Sequence, residues 1–336
     1  MSLQQNFLDL LVSKLEPREK LVDKLMEILF ISSDSAYRRI RGDTTFSMPE
    51  FISLSKHFNI STDAFIGSSS EDSAALFQTK SFNNEILSYI QFVQNEFSRP
   101  PFTKQFEMIY AAKGLPVYYN FIFPEIASFK AFYYYKVLWQ NPNVQIPQYE
   151  FESFYAMMNQ MQPGIKKIES KIKQEYLQTP TTEIWNVNTL DGHLHQLKYA
   201  WETGLFKNKE AALLLVDKTT DMLVHTRRQA DAGKKTHPDK LEDEYSDFNL
   251  YFMEAVNLEH TCWRKIGDKK VTFINHNIGD FIYTFNEDFC NRTESYLKNL
   301  LEKSVFVSRT AEKERHRLFS QIDDKVEALR KNIEGK

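Results

Sequence analysis

The stretch VDKLMEILFISSDSAYRRIRG, residues 22–42, decides the fold of the N-terminal part of the chain. A first helix that ends at Phe30-Ile31 is predicted by apolar residues at a helical spacing, namely Leu21, Leu25, Ile28 and Leu29. Ser32 can then begin a second helix, because its hydroxyl can accept a hydrogen bond from a free amide of the first turn. Gly42 is the residue type that commonly ends a helix. The stretch therefore predicts two short helices joined by a tight turn.

The second of these helices has an apolar side and a polar side. The apolar side must dock on the first helix and carries Ile31, Ala36 and Ile40; alanine is small where the two helices approach. The polar side carries Ser33, Asp34, Tyr37, Arg38 and Arg41. Serine and arginine suit base edges and phosphates, and arginine to guanine is the commonest specific contact with DNA.

The segment ISSDSAYRRIRG, residues 31–42, resembles the Cro and lambda-repressor-like (XRE-type) helix-turn-helix superfamily. The resemblance covers the N-terminal domain only. It implies a transcriptional regulator that places recognition helix 33–41 in the major groove of operator DNA and binds as a dimer. The DNA-binding residues are then Ser32, Ser33, Asp34, Ser35, Tyr37, Arg38, Arg39 and Arg41. The partners implied are double-stranded DNA and a second copy of the chain.

Two residues depart from the superfamily pattern. Met26 stands where a small residue usually lets the two helices touch, and Phe30 stands where the turn usually has glycine. A positive φ at Phe30 would cost about 1 kcal/mol or more. Further helices are predicted at 4–15, from Ser47 or Met48, and from Ser61 to Gly67. Residues 1–67 thus form a predicted five-helix domain.

This domain is not basic. It carries eight Lys or Arg residues and nine Asp or Glu residues, so its positive charge is local to one helix. Because phosphate contacts supply most non-specific affinity for DNA, a single copy should bind weakly. Useful binding would then require dimerisation.

Composition narrows the class of the whole chain. The 336 residues carry a net charge of −3, are 42% hydrophobic and 26% charged, and include two cysteines, Cys262 and Cys290. These values are ordinary for a globular protein and give no disulfide framework. We find no apolar signal segment and no uninterrupted membrane span, so we expect a cytoplasmic protein without a membrane partner.

Shifts in composition divide the remainder into segments. The run GSSSEDSA, residues 67–74, is small and polar and predicts a flexible linker, which we place at 68–79. Residues 80–232 predict a helical-hairpin region, tetratricopeptide-like in manner, with helices near 82–98, 102–112, 125–140, 149–161, 163–178, 188–203 and 208–230. Residues 233–247 are charge-dense and predict a second, polar linker. The fold class is therefore mainly α.

The last segment, residues 248–336, predicts a small α+β region for sensing or oligomerisation. Aromatic and β-branched runs at 248–256, 260–266, 270–276 and 280–285 predict a four-stranded antiparallel meander. Helices follow at 286–303 and 310–332. The last helix has an apolar stripe formed by Leu318, Ile322, Val326, Leu329 and Ile333. This stripe could cover the sheet or pair with a second copy, and we favour the sheet.

Motifs for catalysis are missing from the sequence. It has no glycine-rich phosphate loop, no GxSxG, no HExxH and no CxxC. His193 and His195 diverge by about 200° on a helix and cannot both bind one metal ion. We therefore predict no enzyme, no metal and no cofactor. A deep polar pocket beside His260, His276 and Cys290 would favour an enzyme instead.

Taken together, these features predict a sequence-specific DNA-binding regulator. Its C-terminal regions would serve dimerisation and the sensing of a partner or effector, with a small molecule or a peptide as candidate effector. The alternative is an adaptor protein, in which the helical array binds a partner protein and the helix-turn-helix is used for docking. The aromatic segment 118–139 is interpreted as packed core in preference to a pocket lining.

Overall fold

Four helices lie within the described N-terminal residues of this computed structural model. The structure describes residues 3–15, 19–58, 60, 78–80, 86–98, 106–139, 146–277 and 280–335. The chain divides into two compact units, unit 1 (Met1–Leu76) and unit 2 (Phe77–Lys336). The linker predicted at 68–79 lies outside the described residues except for 78 and 79, and so does the helix predicted from Ser61 to Gly67.

The described helices of unit 1 are α1 (Leu3–Ser13), α2 (Leu21–Leu29), α3 (Ser33–Ile40) and α4 (Met48–His57). One small apolar core joins them, in which Leu11, Leu25, Ala36 and Leu54 are fully buried. Each helix contributes one of these four side chains. The helices lie where apolar spacing and capping residues predict them, because both signals are local in the chain.

The turn between α2 and α3 contains a strained residue. Phe30 has φ 54° and ψ 41°, in the left-handed region, and its side chain is 93% exposed. The exposed ring contributes little packing to offset this conformation. Phe30 therefore has the positive φ, with the cost of about 1 kcal/mol or more that the sequence predicts.

Unit 2 is built on one mixed sheet. Its described strands are β1 (Gln78–Lys80), β2 (Phe106–Ala111), β3 (Thr181–Trp185), β4 (Lys234–His237), β5 (Lys240–Phe252), β6 (Thr261–Ile266), β7 (Lys269–Asn277), β8 (Asp280–Thr284) and β9 (Val305–Phe306). They follow the order β1-β8-β7-β6-β2-β3-β5-β4, and β9 pairs with the end of β5. β2, β3 and β5 run parallel, and the other pairs are antiparallel.

Helices cover the two faces of this sheet unequally. The described helices of unit 2 are α5 (Ile86–Ser98), α6 (Pro124–Tyr133), α7 (Phe151–Met161), α8 (Ile165–Gln178), α9 (Asp191–Glu202), α10 (Lys209–Ala232), α11 (Glu287–Lys303) and α12 (Glu312–Glu334). A 3-10 turn (Val117–Phe121) precedes α6 and a π-helical segment (Tyr134–Trp139) follows it. α11 packs on one face against Ile109, Ile184 and Trp263. The larger core lies on the other face with most of the remaining helices.

The apolar stripe of α12 is buried within the same chain. It packs mainly against α10, with smaller contacts to α9 and β5. Every residue of the predicted stripe is buried: Leu318, Ile322, Val326, Leu329 and Ile333. The sequence favours a stripe that covers the sheet, whereas the surface that the stripe covers is chiefly a helix of the same chain, α10, with the sheet contacted through β5.

In the middle region, β2 lies where the sequence predicts a helix, and β3 lies between two predicted helices. The helix predicted at 102–112 is wrong over its described part, which forms β2. β3 lies where no strand was predicted. The last four residues of β2 are buried in succession, so this strand shows a continuous apolar run without alternation, which periodicity alone does not distinguish from a helix.

The polar linker predicted at 233–247 is also wrong, because this segment forms β4 and the first part of β5. Gly233, at φ 67°, ends α10 and turns the chain into the hairpin. Lys235 is fully buried, and its Nζ donates to the carbonyl oxygens of Tyr176 and Thr179 at 2.9 and 2.7 Å. Backbone pairing and these bonds order a segment whose composition resembles a loop.

The predicted separation into a helical-hairpin region and a small α+β region does not describe unit 2. β6, β7 and β8 form the predicted antiparallel meander, whereas β5 lies parallel to β3. The middle helices pack on a sheet whose strands come from both regions, instead of stacking as tetratricopeptide-like hairpins. A mixed α/β fold therefore results. Within the described residues, no helix is long and apolar enough to cross a membrane.

A buried carboxylate lies in the middle of the sheet. Glu183, on β3, is 1% exposed and accepts hydrogen bonds from Tyr119 Oη at 2.9 Å, Tyr176 Oη at 2.7 Å and Trp185 Nε1 at 2.9 Å. The donors come from the 3-10 turn, α8 and β3 itself. Because a buried charge is tolerated only when it is fully hydrogen-bonded, these donors must stay in place.

We predict that Phe30→Gly stabilises unit 1 by about 0.5–1 kcal/mol, since glycine adopts positive φ without steric cost but loses more backbone entropy on folding. Amide hydrogen exchange of peptides from α2 and α3 in the full chain measures the change. Phe30→Ala is the control, because it removes the same exposed ring and keeps Cβ. Equal effects of the two variants would contradict the strain argument.

We predict that Glu183→Gln lowers the free energy of unfolding of unit 2 by about 3 kcal/mol or more. The glutamine NH₂ group would replace a carboxylate oxygen that accepts hydrogen bonds, so that two donors would face each other without an acceptor. Tryptophan fluorescence in urea reports this unit, which holds Trp139, Trp185, Trp201 and Trp263.

The matched control for this experiment is Glu259→Gln. Glu259 is 74% exposed and pairs with Lys113 at 2.9 Å on the surface. Such a pair contributes little, so its loss should cost less than about 1 kcal/mol. A similar small cost for both variants would show that the Glu183 hydrogen bonds do not hold the sheet together.

Candidate functional site

The start of α3 is fixed by a serine pair. Ser32 is the N-cap, and its Oγ accepts a hydrogen bond from the Ser35 amide at 3.3 Å. The Ser32 hydroxyl also donates to Ser35 Oγ at 3.1 Å. The two serines therefore hold the N-terminus of α3, and their hydroxyls are engaged with each other.

Packing on α2 decides which side of α3 is left exposed. Ala36 is fully buried against a core that includes Leu25. Ser33, Asp34, Tyr37 and Arg38 are exposed, and Tyr37 has 48% of its surface accessible. The Arg38 guanidinium makes no ion pair or hydrogen bond with any described residue, whereas its backbone carbonyl accepts from the amides of Asp43 and Thr44. These four side chains form the exposed face of α3.

Arg39 lies apart from that face, although the sequence groups it with the DNA-binding residues. Its Nη2 contacts Glu50 Oε1 at 2.7 Å, and its Nη1 donates to the Ser35 carbonyl at 3.1 Å. The two charged side chains are only 15% and 18% exposed. Arg39 therefore braces α3 against α4, because its helical position turns the guanidinium toward Glu50.

Glu50 is held in its charged form by its neighbours. Burial alone would raise the pKa of this carboxyl, but hydrogen bonds from the Ser47 amide and from Arg39 outweigh it, so the pKa lies below its usual value. The Ser47 amide and hydroxyl donate to Glu50 Oε2 at 2.8 and 3.0 Å. The same carboxylate thus caps α4 and anchors Arg39.

Arg41 ends α3 and is paired on the surface. Its Nε donates to Asp43 Oδ2 at 2.9 Å, and both side chains are more than half exposed. An exposed pair of this kind is weak, so the arginine can exchange its partner at little cost. Arg41 stays a secondary candidate beside Arg38.

Sequence reasoning missed one residue that positions this end of α3. Gln4, on α1, donates through Nε2 to the carbonyl oxygens of Arg39 and Thr44, both at 2.9 Å. Its Oε1 accepts from the Phe46 amide at 3.0 Å. Gln4 thereby holds the loop that follows α3. No local pattern announces it, because its partners lie about forty positions away.

Unit 2 contains a separate polar pocket at one edge of its sheet. Its volume is about 1000 Å³, and His260 and His276 line it. Cys290 does not line it, because α11 holds this cysteine on the opposite face of the sheet. The pocket lining includes Lys130 and Tyr134 of the aromatic segment 118–139, most of which is buried core as interpreted from the sequence.

The histidines do not assemble a metal site. Among the described residues, no group of three or more His, Cys, Asp or Glu side chains is arranged to hold a metal ion. His260 is braced on both sides: its Nδ1 accepts from the Gly114 amide at 3.3 Å, and its Nε2 lies 2.6 Å from Tyr110 Oη. Burial lowers the pKa of His260 to about 4.

Comparison with known proteins adds no family to these observations. No protein-family model, no curated protein and no solved structure matches this chain.

Proposed function

We propose that unit 1 is the DNA-reading domain of a transcriptional regulator, with α3 as the recognition helix of a helix-turn-helix. The observation that carries the proposal is the exposed face of α3, on which Ser33, Tyr37 and unpaired Arg38 extend from a capped helix docked on α2. A helix of this kind presents its N-terminal side chains to base edges in the major groove. The resemblance to the Cro and lambda-repressor-like superfamily supports the same role.

Charge indicates how such a domain would work. Arg39 is committed to Glu50, which leaves Arg38 and Arg41 as the cations at α3 for DNA. Two cations give only a small counterion-release contribution, so one copy binds weakly. We therefore propose a homodimer that reads two half-sites about 34–36 Å apart, one turn of the duplex.

Unit 2 would serve dimerisation and sensing in this proposal. Its described part includes a pocket large enough for a small-molecule effector. We further propose that the protein acts in the cytoplasm, where operator DNA is accessible to it.

A second function, docking on a partner protein, is favoured by the exposed apolar residues of unit 1. Phe30 is 93% exposed, Met48 is 70% exposed and Tyr37 is 48% exposed. Aromatic and methionine side chains are enriched at protein interfaces. In this alternative, unit 1 is the docking element of an adaptor protein.

Selection of bound duplexes from a random pool, with the full chain as bait, tests DNA binding and yields the half-site spacing. We predict that Arg38→Ala then weakens binding to the selected duplex by about 1–3 kcal/mol if Arg38 contacts a base edge. If Arg38 contacts a phosphate, the slope of log K against the logarithm of the salt concentration should fall in magnitude by about one. Fluorescence anisotropy at several salt concentrations measures both quantities.

Lys56→Ala is the matched control, because Lys56 is an exposed cation of the same unit that lies on α4. Its removal should leave DNA affinity nearly unchanged. Recovery of no sequence from the pool, or equal affinity of wild type and Arg38→Ala, would contradict recognition by α3 and favour the docking function.

A further inference from the structure

The pocket in unit 2 lies where the parallel strands end. β2, β3 and β5 run in the same direction, so their carboxyl ends share one edge of the sheet. The segments that follow them contribute Gly114, Asn186 and Asn257 to the pocket lining. Crevices outside the carboxyl ends of parallel strands are the usual place for ligands in open α/β sheets. The volume of about 1000 Å³ suits a metabolite of moderate size.

His193 offers this pocket a buried acceptor. The Thr219 hydroxyl donates to the Leu215 carbonyl at 2.7 Å, so its oxygen must accept the proton on His193 Nε2, 2.9 Å away. The imidazole is neutral, because burial and the charge of Lys130 lower its pKa well below the ordinary value. Nδ1 then carries a lone pair, and no described residue donates to it. His193 is 2% exposed.

Asn120 presents a second unsatisfied group. It lies in the 3-10 turn, lines the same pocket and is 9% exposed. Its Oδ1 is buried and accepts no hydrogen bond from any described residue. A buried polar atom without a partner costs free energy, so a ligand that donates to Oδ1 and to His193 Nδ1 would be stabilised there.

Lys130 brings a buried amine to the same place, and an anion bound beside it would favour the protonated form. It is 9% exposed, and its Nζ donates to Gln196 Oε1 at 2.5 Å. Gln196 and His193 are three residues apart on α9, which begins at the pocket. No described carboxylate forms an ion pair with Lys130, and burial lowers its pKa to about 7. The other charges of the lining are engaged: Lys113 with Glu259, and Asp191 with Lys325.

We propose that this pocket binds a hydroxyl-rich anion of the sugar phosphate or sugar acid class. Its anionic group would lie at Lys130, and its hydroxyls would donate to His193 Nδ1 and Asn120 Oδ1. Hydroxyl groups both donate and accept, which suits the amide side chains of the lining. Gly192 is an exposed residue of the pocket lining in the first turn of α9, so its backbone N–H, near the positive end of the helix, would add a donor for the anion. This inference rests on unit 2 alone and does not depend on DNA binding.

Thermal unfolding of the full chain, followed by tryptophan fluorescence, tests the proposal. The probes are glucose 6-phosphate, gluconate, inorganic phosphate and glucose, which separate the phosphate, the carboxylate and the hydroxyl contributions. We expect glucose 6-phosphate or gluconate to raise the unfolding midpoint by about 3 °C at ten times its Kd. Inorganic phosphate and glucose should each give a smaller shift at the same concentration.

Lys130→Met separates ligand binding from a structural role. Without a probe, the substitution should raise the unfolding midpoint by about 3 °C, because it removes a buried amine that has no acidic partner. The shifts caused by the anionic probes should be lost. Lys198→Met, on the exposed side of α9, is the control and should keep them.

His193→Gln supplies an independent readout. The glutamine amide can still donate to Thr219 but has no acceptor at the position of Nδ1. It should reduce the shift with glucose 6-phosphate or gluconate and leave that with inorganic phosphate. The proposal is overturned if neither glucose 6-phosphate nor gluconate shifts the midpoint of the wild type. It is also overturned if Lys130→Met keeps these shifts or lowers the midpoint without a probe.

Discussion

The fold of unit 2 depends on keeping the carboxylate of Glu183 satisfied inside the sheet. Four donors converge on it from the 3-10 turn, α8 and β3: Tyr119, Tyr176, Trp185 and, at 3.4 Å, the Thr181 hydroxyl. The buried ammonium of Lys235 lies over the Tyr176 ring, 3.3 Å from its centroid, and its lowered pKa reflects burial offset in part by Glu183. Because an unpaired charge at this depth would be strongly destabilising, the helices and strands that supply these groups have little freedom to separate.

The same arrangement creates the pocket. Once β3 is fixed between β2 and β5, the carboxyl ends of all three strands point to one edge. The helices α6 and α9 then bring Lys130 and His193 to that edge. Buried groups that lack partners are costly, and the structure concentrates several of them in one cavity. A site that sacrifices stability in this way is typical of function.

Unit 1 depends on fewer and shorter-range contacts. Its helices begin at capping residues and bury one apolar side, both of which are readable in the chain. The sequence also identified Phe30 as the strained position and Arg38 as an exposed cation. Helical spacing left Arg39 off the polar side, but Arg39 was still grouped with the DNA-binding residues, because its partner Glu50 lies on the next helix. It also missed Gln4, whose hydrogen bonds reach a loop about forty residues away.

The sequence by itself therefore determined most helix positions, the β6–β7–β8 meander and the polar face of α3. Each of these is signalled by periodicity, caps or turns within a few residues. Tertiary structure alone decided that β2 and β3 are strands, that residues 234–247 are ordered in a sheet, and that a pocket forms at its edge. The physical reason is the range of the interactions: Ile109 in β2 pairs with Thr182 on one side and with Trp263 on the other. No local pattern in the chain encodes partners so far apart.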